Sequence, residues 1–168
     1  MLPITMYQFS STRTPTPTPT VTPTPQSHIL WLYLHSDYTL REQPQASVSD
    51  IPIRPAWPSR SWTYTLTGDI TSNRYAFDVT LYNILPYWPY FSAYSIDFML
   101  NRQGTSIPLA HYETGLILTQ ARISGTLTGV DPDALPGDVL VFKISYRVGA
   151  YGGAYIGGST NARIGIAD

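Results

Sequence analysis

From residue 27 onward, hydrophobic and polar side chains alternate with a period of two. In RYAFDVTLYN, Tyr75, Phe77, Val79 and Leu81 share one face, while Arg74, Asp78, Thr80 and Tyr82 share the other. In GDVLVFKISYRV, Leu140, Phe142, Ile144, Tyr146 and Val148 point one way and Lys143, Ser145 and Arg147 the other. YSIDFMLN alternates Tyr94, Ile96, Phe98 and Leu100 with Ser95, Asp97 and Met99; SWTYTLTG alternates Trp62, Tyr64 and Leu66 with threonines. GLILTQARISGTLTG aligns Ile117, Ala121, Ile123 and Leu127, with Gly125 as a bulge or bend. This is the periodicity of half-buried strands. HILWLYLH is apolar on both faces and predicts a central strand covered on both sides, and Ile164 and Ile166 belong to a last strand.

Turn signals such as TGD, TSN, NRQGT and TGVDPDALPGD separate these runs, and no stretch carries a 3.6-residue period with caps. The expectation is an all-β protein: an antiparallel β-sandwich, jelly-roll-like, with seven to nine strands. The Cys–Trp–Cys signature of an immunoglobulin domain is missing.

The sandwich is assigned to residues 27–168. Ahead of it, residues 14–26 are a spacer, TPTPTPTVTPTP followed by Gln26. Each proline fixes its own φ and pushes its predecessor toward extended geometry, so the stretch is a semi-rigid arm on the order of 35–40 Å long. It reads as a linker or stalk, or else as a disordered tail. Residues 1–13 are too few to fold and form an unstructured N-terminal segment. A spacer implies something on both sides, so the chain is expected to be a piece of a longer one, its true start upstream with an export signal and a further domain.

Charged residues are only 12% of the 168, against roughly a quarter in an ordinary domain. The nine arginines and single lysine are scattered and net charge is −1, which argues against a nucleic-acid backbone as partner. No apolar run approaches the ~20 residues of a membrane-spanning helix, so no membrane insertion is expected. The absence of cysteine removes disulfides, thiolate metal sites and cysteine nucleophiles.

Catalytic motifs are missing too. No G-x-S-x-G elbow or Ser-x-x-Lys occurs, and His28, His35 and His111 form no metal spacing; His28 and His35 read as strand-end polar residues, and no enzyme is expected. Binding chemistry is better represented. PYWPYFSAY, residues 86–94, holds Tyr87, Trp88, Tyr90 and Phe91 between prolines. A proline-braced aromatic loop loses little entropy on binding, but it can equally seal the end of a sandwich. Trp57, between Pro55 and Pro58, poses the same choice. GAYGGAYIGGS reads as a flexible hairpin loop whose Tyr151 and Tyr155 offer stacking faces. In DPDALPGD, Asp131, Asp133 and Asp138 are either a polar turn or oxygen ligands for a structural calcium.

The Thr-Pro spacer, followed by a tyrosine-, threonine- and glycine-rich sandwich that includes PGDVLVFKI, resembles the Thr-Pro-linked accessory modules of secreted bacterial surface and carbohydrate-active proteins. That resemblance implies a non-catalytic module binding glycan or another surface polymer, on an exported protein at the cell surface or outside the cell. The alternative is a structural subunit of an extracellular filament, surface layer or coat. Val139 and Val141 would then be assembly faces, and the N-terminal arm would mediate self-association.

Overall fold

The alternating segments become two antiparallel sheets that face each other. The computed structural model describes residues 29–83, 91–149 and 152–167. Its strands are β1 (Ile29–Leu34), β2 (Leu40–Arg41), β3 (Ser49–Ile53), β4 (Ser59–Thr65), β5 (Arg74–Asn83), β6 (Ser92–Arg102), β7 (Thr105–Glu113), β8 (Gln120–Thr128), β9 (Val139–Gly149), β10 (Gly152–Ile156) and β11 (Arg163–Ala167), with a 3-10 turn at Gly158–Thr160. The smaller sheet has the order β4-β9-β6-β7, and the remaining strands form the larger one.

β5 is the axis of the larger sheet. Along one edge it pairs with β8 from Arg74↔Thr128 to Tyr82↔Gln120. Along the other it pairs first with β11 (Arg74↔Ala167 to Asp78↔Arg163) and then with β10 (Thr80↔Tyr155 to Asn83↔Gly152). β10 and β11 therefore lie end to end, with residues 157–162 looped out between them. Beyond them β3 pairs with β10, β1 with β11, and β2 extends β1.

The core lies where the predicted inward faces meet. Leu32, Phe77, Val79, Leu81, Ile164 and Ile166 of the larger sheet pack against Trp62, Ile96, Phe98, Leu100, Phe142 and Ile144 of the smaller. Ring contacts between Tyr75 and Phe98, at 5.4 Å, and between Phe77 and Tyr112, at 5.1 Å, cross between the sheets. Each large apolar side chain so buried contributes about 1.5–3 kcal/mol.

Several details depart from expectation. The eleven strands exceed seven to nine because β2 and β3 are short and the C-terminal segment is split in two. Gly125 causes no bulge; the register shifts fall opposite β6, where Arg147 of β9 is the extra residue between the partners of Ala93 and Tyr94 and Leu109 of β7 the extra one between the partners of Phe98 and Met99. β1 is not covered on both sides: Leu32 and Leu34 are buried, while Trp31 and Tyr33 lie half-buried on the outer face. Val141 is buried and offers no assembly face. The glycine-rich segment is not a hairpin loop, since Gly152–Ile156 is a strand paired on both edges. The physical reason is close approach. A Cβ on Gly152 would collide with the Tyr82 carbonyl oxygen and the Tyr94 hydroxyl, and one on Gly153 with the Ile51 carbonyl oxygen. Only glycine lets the backbones come this near.

The N-terminal segment, the spacer and His28 lie outside the described residues, as do Tyr87, Trp88, Tyr90 and Tyr151.

Candidate functional site

The outward positions of β5 are unusual: Asp78, Thr80 and Tyr82 are buried although they face away from the core. The strand registers stack their neighbours in rows across the larger sheet. Asp78 shares a row with Arg163 and Ser124; Thr80 with Tyr155, Asp50 and Arg122; Tyr82 with Gly153, Pro52 and Gln120. Trp31, Gly165, Ala76 and Thr126 form the row on the far side of Asp78.

Asp78 is the electrostatic centre of this face. Arg122 donates to it through Nε at 2.7 Å and Nη2 at 2.6 Å, and Arg163 Nε lies 3.7 Å away. The hydrogen bonds from Arg122 hold the Asp78 carboxyl below the usual carboxylate range, against the opposing effect of burial. The Arg163 guanidinium also lies 4.2 Å from the centre of the Trp31 ring, a cation–π contact. Trp31 in turn lies across Gly165, where an added Cβ would come within 3.0–3.1 Å of the indole.

At the other end, the Tyr82 and Tyr155 rings stack with centroids 4.5 Å apart. Tyr82 leans over Gly153, and its hydroxyl donates to Asp50. Burial raises the pKa of that hydroxyl, so it remains a donor. The pair walls a recess of about 360 Å³ whose other lining residues are Asn83, Thr119 and Gln120. A second recess, also about 360 Å³, opens on the same face among Trp31, Asp78, Ser124, Thr126 and Arg163. The face thus offers aromatic rings with amide and hydroxyl groups and the Asp50 carboxylate at one end, and an aromatic ring beside a cluster of one carboxylate and two guanidiniums at the other.

Of the residues singled out in the sequence, Tyr155 belongs to this face. Trp57 does not: it lies in the β3–β4 connection, 43% exposed, and caps no core. Phe91 lies half-buried ahead of β6. The strand ends flanking residues 84–90 are fixed, since Asn83 N–H donates to Thr119 O and Ser92 exchanges backbone hydrogen bonds with Ile117. Asp138 is turned toward Arg102, which donates at 2.8 and 3.0 Å, and it accepts from the Leu135 N–H. Asp131 accepts from the Asp133 N–H. Among the described residues, no group of three or more acidic or histidine side chains is gathered to hold a metal ion.

Sequence reasoning missed Trp31, Gln120 and Arg122 as members of one face. The alternation did place Tyr82 and Asp78 outward, and that was the available signal.

The opposite sheet carries a separate polar cluster. His111 Nδ1 donates to Asp97 at 2.6 Å, His111 Nε2 lies 3.6 Å from Glu113, and Arg147 pairs with Glu113 at 2.9 Å. The hydrogen bond to Asp97 raises the His111 pKa. Among the described residues no serine or threonine hydroxyl hydrogen-bonds to this imidazole.

No protein-family model matches the sequence, and no curated protein matches it. In three dimensions the chain is similar to a CocE/NonD family hydrolase from Staphylococcus aureus, with TM-score 0.66 and 10% identity over 86% of this chain and 37% of that one. An aminopeptidase from a marine sediment archaeon, Thaumarchaeota archaeon, matches with TM-score 0.66 and 10% identity over the same shares, 86% and 37%. A carbohydrate-binding module specific for non-crystalline cellulose, CBM28, overlays 80% of this chain and 86% of its own at TM-score 0.49 and 10% identity, too loosely to bear on function. The chain spans 37% of the length of the two enzymes, and the likeness to them is one of fold.

Proposed function

We propose that the chain is a non-catalytic binding module for a glycan, and that the ligand lies along the outer face of the larger sheet. The observation that carries this reading is the recess at the Tyr82–Tyr155 stack. Sugars present flat CH faces ringed by hydroxyls. An aromatic wall beside an exposed glutamine and a threonine matches both features.

The second recess extends the reading from a single sugar to a chain of them. Thr80 stands opposite Tyr155, and Ala76 lies in the row of Trp31. Four residues of strand separate those rows, about 14 Å at ~3.4 Å per residue. A polymer running between them passes the Arg122–Asp78 pair, whose exposed guanidinium supplies hydrogen-bond donors. Export and a location at or beyond the cell surface belong to the same proposal. They are supported by the Thr-Pro spacer and by a chain poor in charge and rich in threonine and tyrosine.

Calorimetric titration with oligosaccharides of increasing length tests the proposal. Affinity is expected to rise with length until both recesses are spanned. Tyr155→Ala should weaken binding about tenfold or more, while Tyr155→Phe retains the stack and most of the affinity. Binding unchanged in Tyr155→Ala would sink this assignment.

A further inference from the structure

The flank where β3 passes to β4 carries a ladder of alternating cations and rings. Arg54 lies 4.1 Å from the centre of the Trp57 ring, and Arg60 lies 5.6 Å from the same ring. Arg60 also lies 5.8 Å from the Tyr38 ring, which contacts the buried Trp62 at 6.0 Å. Trp57 is 43% and Tyr38 40% exposed.

Two further observations separate this ladder from ordinary packing. Tyr38 has φ 64, a left-handed conformation that a bulky side chain rarely adopts, yet its backbone is pinned there by bonds between Tyr38 N–H and His35 O and between Thr63 N–H and Tyr38 O. Arg60 forms no salt bridge among the described residues; its one hydrogen bond there is from Nη1 to Ser59 O at 3.3 Å, and its Nε has no partner. By contrast, the neighbouring Arg41 is paired with Asp37.

We infer that the Tyr38–Arg60–Trp57–Arg54 ladder is a second binding site, for an oxyanion-bearing polysaccharide. The Nε of Arg60 is buried between the two rings' residues, which leaves the end-on edge of Nη1 and Nη2 as the side that can meet a ligand. That geometry suits the bidentate capture of a carboxylate or sulfate. The two rings supply the apolar surface against which the sugar rests. A nucleic acid is the poorer fit, because a phosphate backbone calls for many cations and the chain has scattered arginines, one lysine and net charge −1. The site is distinct from the Tyr155 recess and does not depend on it.

Affinity electrophoresis of the full chain in gels containing heparin, polygalacturonate or neutral dextran tests the inference, with a single-stranded oligonucleotide as the competing polyanion. Retardation by heparin alone identifies sulfate as the recognised group, and retardation by polygalacturonate alone identifies carboxylate; either supports the site. Arg60→Gln and Trp57→Ala are each expected to weaken binding about tenfold. Arg60→Lys, which retains the charge on a point-like ammonium, should weaken it by several-fold. Tyr155→Ala should leave it unchanged. Thermal melts of each variant separate loss of the site from loss of the fold. The inference is overturned if neither acidic polysaccharide retards the chain, if folded Arg60→Gln, Arg60→Lys and Trp57→Ala all bind like the wild type, or if the oligonucleotide binds more tightly than both polysaccharides.

Discussion

Asp78 is 6% exposed, on the solvent-facing side of a sheet, and is held there by two arginines. A carboxylate so placed stabilises the fold only while ionised and paired. Its folded pKa lies below the ordinary 3.8, so its stabilisation is complete above that pH and is lost as the pH falls through the lower folded value. Arg122 is 62% exposed in its side chain, which tempers the pair's strength through solvent screening. Asp78→Asn is therefore expected to cost about 1–2 kcal/mol at neutral pH, measured by urea denaturation. The difference from wild type should shrink when both are measured well below pH 3.8. A difference that stays constant into acid would show that the carboxylate's charge is not what counts. His111 has the opposite sign: its raised pKa adds stability that is present below 6.5 and fades as the pH climbs through the folded value. Its side chain is 54% exposed, so that contribution is small.

At the scale of elements, β10 joins the fold to the site. It pairs with β3 and β5 at once, and its glycines let those backbones close up beneath the Tyr82–Tyr155 stack. In Gly153→Ala the new Cβ would meet the Ile51 carbonyl oxygen and lie 2.7 Å from the Tyr82 hydroxyl. A carbonyl held in a strand ladder cannot yield cheaply, so this substitution should destabilise by about 2–3 kcal/mol in chemical denaturation. A loss below about 0.5 kcal/mol would mean that the segment is as loose as its composition suggests. The same strand marks where sequence reading fails. Period-two alternation revealed β4, β5, β6 and β9 because each buries one apolar face, a local property. GAYGGAYIGG signals a loop by every local rule. Gly152 and Gly153 are explained only by Tyr82, Tyr94 and Ile51, which lie far away in sequence. The candidate face was legible to the same extent. Outward placement of Asp78 and Tyr82 follows from their own strand, whereas their grouping with Trp31, Arg122 and Tyr155 requires strand order, which no single segment encodes.

On the scale of the whole molecule, the sandwich gives two outer faces of different character. The larger sheet presents aromatic rings, an amide and the Asp78–Arg122–Arg163 cluster; the smaller exposes the Asp97–His111–Glu113–Arg147 chain of charges. The edge strands β3 and β7 carry Pro52 and Pro108, which offer no N–H to a neighbouring strand, and β2 is only two residues long, whereas the edge strands β4 and β8 contain no proline. The most direct test of the central claim is a heteronuclear NMR titration of the 15N-labelled chain with a soluble oligosaccharide that it binds, chosen from a panel of neutral glycans. Amide shifts are expected to concentrate in β10 around Gly153–Tyr155, at Tyr82 and Asn83, and along Gln120–Arg122, extending to Trp31 with longer ligands. Shifts confined to the smaller sheet, or none with any glycan in the panel, would contradict it.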